Sequence, residues 1–115
     1  MVLDDDTLLK IGNAFGGGMG RTGETCGTVT GALMIIGLKY GAASKDDAAS
    51  KMKTYELAKK FMRRFKELDR SLTCRDLIGF DIGLKDKLTT EDWDIISKLC
   101  PKYIADAVGI LEEIL

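Results

Sequence analysis

Histidine is absent from this sequence. That removes the commonest general base and the commonest metal ligand at neutral pH, so serine–histidine and cysteine–histidine catalysis are excluded. Proline occurs once, at Pro101. Alternating β-branched runs, the mark of strands, are scarce, which leaves helices as the expected elements. Long apolar runs are missing too. The longest, Val29 to Leu38, falls well short of the roughly 20 residues a membrane helix needs, so no membrane insertion is expected. Neither sign of charge dominates: the formal net charge is -1, and no global field recruits nucleic acid.

What is present suits one soluble domain. A chain of 115 residues, 45% hydrophobic and 30% charged, can bury a modest core without obligatory disulfides or metal. Met1 leads into "VLDDDTLLK", an acidic start that does not read as a signal peptide. A cytoplasmic protein with thiols reduced at rest is expected.

The periodicity predicts an all-α fold, a compact single-domain bundle of five or six helices over residues 1–115. A first helix starts behind Asp4 to Asp6 and stops at the glycines from Gly16. A second runs from about Glu24 to Tyr40, with Thr22 as N-cap and Gly41 as its stop. The third and longest runs from Lys45 or Asp46 to Asp69. In it Met52, Tyr55, Ala58, Phe61, Met62, Phe65 and Leu68 recur at three- and four-residue steps as one buried stripe. Its lysines and arginines, Lys53 to Lys66, read as a solvated face rather than a nucleic-acid patch. In "SLTCRDLIG" a short helix is expected, with Thr73 and Asp76 as a capping box. Gly79 to Thr89 reads as a loop. "TTEDWDIISKL" opens another helix, and "CPKYIADAVGILEEIL" is the last, with Pro101 at its first position.

Glycine spacing is the first sign of a site. Gly23, Gly27 and Gly31 fall four apart, and so do Gly37 and Gly41. Each interior helical glycine costs about 1 kcal/mol relative to alanine, so a close approach should offset it. Helix packing within the chain or across a dimer would do so, and so would a ligand face along Gly27 and Gly31. "GMGRTG" formally fits G-x-G-x-x-G, but a helix precedes it where a dinucleotide fingerprint needs a strand. Free N–H groups at Gly18 and Gly20, with the Arg21 cation, could still hold an anion.

The second sign is the cysteines. Cys26, Cys74 and Cys100 are far apart, with no C-x-x-C pair, so neither a thioredoxin motif nor a zinc ribbon fits. All three are expected at helix N-termini, where the dipole and unpaired N–H groups favour a thiolate. Arg21, Arg75 and Lys102 lie near them and push the same way.

These blocks resemble the redox-active family named for its cysteine pattern, C-GCAxxG-C-C. The likeness is densest over "FGGGMGRTGETCGTVTGALMIIGLKYG", where Cys26, Gly27 and Gly31 stand at the cysteine–glycine–alanine–x–x–glycine motif and Thr28 replaces the alanine. "TCRDLIGFDI" supplies Cys74 and "CPKYIADAVGILEEIL" supplies Cys100. The family pattern has a further cysteine on an N-terminal helix, and none precedes Cys26 here. Either the chain begins late relative to its relatives, or this member works with three. A four-thiolate metal or iron–sulfur site would then lack one ligand, whereas a dithiol couple needs only two. The resemblance implies a small helical redox protein with Cys26 as the attacking or ligating thiolate and Cys74 and Cys100 as resolving partners or co-ligands. It names no redox partner. The alternatives are a metal ion or iron–sulfur cluster held by Cys26, Cys74 and Cys100, and a structural dimerisation module. A homo-oligomer is expected, because one short chain does not fully cover Val29 to Leu38.

Overall fold

Three helices supply most of the core, and their apolar spacing explains why. The structure is a computed structural model that describes residues 3–115, and those residues are helical throughout their regular parts. In order they form α1 (Asp5–Asn13), α2 (Gly27–Tyr40), α3 (Ala48–Asp69), α4 (Cys74–Ile78), a single 3-10 turn (Ile82–Leu84) and α5 (Thr90–Ile114). Helices α2, α3 and α5 pack against one another pairwise. Val29, Ala32 and Ile36 from α2 meet Phe61 and Phe65 from α3 and Tyr103, Ala107, Ile110 and Leu111 from α5. The Phe61 and Phe65 rings lie 5.9 Å apart and stacked, and Phe65 meets Tyr103 edge-on at 6.3 Å. Each such ring contributes on the order of 2–3 kcal/mol by leaving water.

Only the middle of the α3 stripe is core. Phe61 and Phe65 are fully buried, while Met52, Tyr55 and Leu68 are about half exposed. The ends of a 22-residue helix run past the shorter α2 packed beside it. Asp69, the last residue of α3, is buried instead, and its Oδ1 accepts from Lys102 Nζ of α5 at 2.6 Å. Burial pushes its carboxyl above the ordinary value, and the Lys102 bond opposes that.

Capping shifts some helix starts. Asp4 and Asp47 accept from the N–H groups of Thr7 and Ser50, so α1 and α3 begin where an aspartate can cap. The Thr73 side chain makes no cap bond; Ser71 Oγ takes the Thr73 N–H and donates to Asp76. The capping box lies at Thr89 and Asp92, where both reciprocal bonds are present. α2 begins at Gly27 rather than Glu24, and the expected N-cap Thr22 donates instead to the carbonyls of Gly18 and Met19.

The largest departure is at Pro101, which lies inside one continuous 25-residue helix rather than opening a new one. Apolar positions on both sides, Ile95, Ile96 and Leu99 before it and Tyr103, Ala107 and Ile110 after it, pack inward. Burial on both flanks outweighs the lost hydrogen bond to the Ser97 carbonyl. Among the described residues no helix is long and apolar enough to cross a membrane.

Replacing Pro101 with alanine should therefore raise stability, by up to about 3 kcal/mol, because it restores a mid-helix N–H. Urea unfolding followed by circular dichroism measures this. A neutral or negative change would mean that the helix restarts at position 101.

Candidate functional site

The glycine-rich loop between α1 and α2 is a left-handed turn. Gly17, Gly18, Met19, Gly20 and Arg21 are consecutive residues with φ of 66, 72, 69, 64 and 61°. Three glycines make this run possible, since left-handed backbone costs an ordinary residue roughly 1 kcal/mol or more. The turn closes on itself. The N–H groups of Met19, Gly20 and Arg21 donate to the carbonyls of Phe15, Ala14 and Gly16, and those of Gly23 and Glu24 donate to Gly17 and Gly18. The expected free N–H at Gly20 is therefore engaged, and the loop offers an anion the Arg21 side chain rather than that amide.

Past the loop, the chain pairs briefly with the segment before α4. Thr25 and Thr73 form an antiparallel bridge. The Cys26 N–H donates to the Leu72 carbonyl at 2.8 Å, and the Cys74 N–H to the Glu24 carbonyl at 2.6 Å. Because side chains alternate along paired strands, Cys26 and Cys74 fall on one face, diagonal to each other, a relation that separates Cβ atoms by roughly 7 Å in sheets. Gly18 sits directly behind Cys74. A Cβ there would lie 2.5 Å from Cys74 Cβ and 2.7 Å from the Glu24 backbone. The Arg75 guanidinium fastens the outside, 3.0 Å from Glu24 and 3.8 Å from Asp81.

Cys100 arrives from α5. With α5 continuous, it sits in mid-helix rather than at an N-terminus, a correction to its expected setting. Cys26 does stand at a helix start, as the N-cap of α2. Cys74 opens α4, a helix of five residues.

All three cysteines nevertheless line one cavity of about 450 Å³. Gly18, Gly20, Arg21 and Gly27 line it as well, and Ile78, Ile82, Leu88, Trp93 and Ile96 supply its apolar walls. Of the five candidate ligand-binding residues only Gly31 lies elsewhere, on a separate groove of about 220 Å³ shared with Phe15 and Met34. A side chain at Gly27 would press on the Phe15 carbonyl at 3.1 Å, whereas one at Gly31 would meet nothing. So Gly27 admits a close backbone, and Gly31 does not pack against this chain. Trp93 and the isoleucines of the wall carry no sequence signal for a site; apolar spacing marks them only as core. Arg75 is expected from the sequence only as a cation beside Cys74; its clasp with Glu24 and Asp81 joins three segments and carries no sequence signal.

Burial sets the electrostatics. It pushes the Cys74 thiol up to about 11, with the neighbouring Cys26 and Cys100 adding to the effect and Arg75 opposing it. Cys100 is raised as well, by burial and then by Cys26. The lowering expected from helix ends and nearby cations does not prevail at these two, since taking a thiolate out of water costs more than a short helix or a half-exposed arginine returns. No disulfide joins the cysteines. Among the described residues no group of three cysteine, aspartate or glutamate side chains is placed to hold a metal ion, so the three thiols as arranged do not converge on a single metal ion.

Two outcomes follow from this geometry. Alkylation of Cys74 in the folded protein should keep accelerating up to pH about 11, against about 9 for the unfolded chain. Since the folded value is the higher one, this thiol's contribution to stability is intact below pH 9 and is lost as pH rises toward 11. Peptide mapping after timed iodoacetamide labelling reads the first, and urea titration across that range the second. Gly18→Ala should destabilise the fold by about 2 kcal/mol or more, from both the positive φ and the clash with Cys74.

The chain matches a protein-family model described as "Putative redox-active protein (C_GCAxxG_C_C)" over residues 1–114. Neither a curated protein nor a solved structure matches it.

Proposed function

We propose, for a chain that belongs to the C_GCAxxG_C_C redox-active family, that Cys26, Cys74 and Cys100 form a dithiol/disulfide centre acting on a disulfide substrate. One observation carries the reading: the only three cysteines of the sequence, each from a different segment, line the same cavity. Chance burial of small apolar residues would not gather them there.

Cys26 is the attacking sulfur. It is half-buried, opens onto the cavity, and caps the 14-residue α2, whose positive end favours negative charge placed there. Its thiolate attacks one sulfur of the substrate disulfide. That bond breaks as the Cys26–substrate S–S bond forms, and the departing thiolate takes a proton from water. Cys74 or Cys100 then gives up its proton to water and attacks Cys26 Sγ; the Cys26–substrate bond breaks, and the second substrate sulfur leaves as a thiolate that takes a proton from water. Two electrons pass from the protein dithiol to the substrate, and the protein is left with one disulfide.

The raised values of Cys74 and Cys100 suit a resolving role. A protonated thiol stays idle until a mixed disulfide is presented to it. Closing that second bond brings Cα atoms to about 5.5 Å, so the diagonal Cys26–Cys74 pair must draw together as it forms. A reducing, cytoplasmic setting is part of this reading, as is a separate thiol reductant to regenerate the dithiol.

Intact-mass measurement after treatment with hydroxyethyl disulfide tests it. The wild-type chain should lose the mass of two hydrogens and keep no adduct. Cys26→Ser should react at least about tenfold more slowly, and the variant lacking the resolving thiol should stall as the mixed disulfide. A Cys26→Ser chain that is oxidised as fast as the wild type would overturn the proposal.

A further inference from the structure

The cavity that gathers the sulfurs is also marked by charge. Arg21 is the one charged side chain among its described lining residues, and no acid lines it. Arg21 has no carboxylate partner among the described ion pairs, in contrast to Arg75, which is tied to Glu24 and Asp81. Its guanidinium lies 5.6 Å from the Trp93 ring centre, on another wall residue. A cation over an aromatic face keeps its charge and gains orientation.

The backbone beneath is built for this placement. Arg21 holds a left-handed φ of 61°, unusual for a residue with a side chain. Its N–H is bonded to the Gly16 carbonyl at 2.9 Å. Gly17 clears the space: a Cβ there would lie 2.7 Å from Arg21 Cγ and 2.9 Å from its Cα. Two left-handed positions therefore serve to set one cation at a cavity whose other lining side chains are uncharged: three cysteines, apolar residues, Asn13 and Thr28. The volume of about 450 Å³ is that of a small organic ligand.

We infer that the substrate is a small organic disulfide carrying an anionic group. Arg21 binds the anionic group, and the S–S bond lies against Cys26. This rests on the thiol/disulfide reading above and names its substrate class. The step is the one already balanced: the substrate accepts two electrons and two protons and leaves as two thiols, at least one of which carries the anionic group. Arg21 is a binding residue in it and transfers no proton.

The test compares dithiodiglycolate (anionic), hydroxyethyl disulfide (neutral) and cystamine (cationic) as oxidants of the purified full chain at low ionic strength. Each rate is divided by that for a simple thiol, which removes intrinsic reactivity. The normalised wild-type order should be anionic over neutral over cationic, although a protein of net charge -1 offers anions no general attraction. Arg21→Gln should lower the anionic-to-cationic ratio about fivefold, the effect of a single half-screened charge. Arg21→Lys should restore most of it. Lys53→Gln, which removes a cation packed over Tyr40 and remote from the cavity, should keep the wild-type ratio. Rates that ignore charge in the wild type, or a ratio unmoved in Arg21→Gln, would overturn this inference and leave the dithiol reading standing. A wild-type chain inert to all three disulfides would sink both.

Discussion

Two backbone hydrogen bonds, from Cys26 to Leu72 and from Cys74 to Glu24, hold the site together. With the Arg75 N–H, which donates to the Gly23 carbonyl at 3.2 Å, they join the segment before α2 to the start of α4. Through them one face of a two-residue ladder presents two sulfurs to the same space. Gly18 backs that ladder at a distance no side chain would permit, and the Arg75 clasp closes it from outside. Helix packing then decides the rest. Tyr103 of α5 donates to the Leu77 carbonyl of α4 at 2.5 Å, which fixes α5 against α4 and leaves Cys100, one turn earlier, facing the other two.

The thiols sit at a seam. Cys26 packs against the main α2–α3–α5 core, while Cys74 and Cys100 belong to a smaller cluster with Ile78, Ile82 and Ile96. A seam between two apolar clusters is where a cavity can persist, because neither cluster fills it. The same apolar surroundings explain why desolvation governs Cys74 and Cys100. A helix end or a neighbouring cation stabilises a thiolate that water reaches freely; it does not compensate where isoleucines take much of that water away.

Much of the fold was legible. Aspartates at the start of α1, the helix opening at "TTEDWDIISKL" and the aromatic spacing within α3 each act within one or two helical turns, so the residues that cause them are neighbours in sequence; α3, expected from Lys45 or Asp46, begins at Ala48 behind the Asp47 cap. The errors have two origins. Pro101 reads locally as a helix start, yet burial around Tyr103 carries α5 through the proline. Thr73 and Thr22 read as helix caps, yet nearer polar groups compete for them: Ser71 takes the Thr73 N–H, and the carbonyls of Gly18 and Met19 take the Thr22 hydroxyl.

By itself the sequence determined the helical class, the absence of histidine chemistry, the glycine-rich break after α1 and an inventory of three thiols, because composition and short-range periodicity suffice for those. That Cys26, Cys74 and Cys100 share one cavity, that burial masks two of them, and that Arg21 alone charges its wall were decided only in three dimensions. Each depends on which segments meet, and a chain's order along itself does not state that.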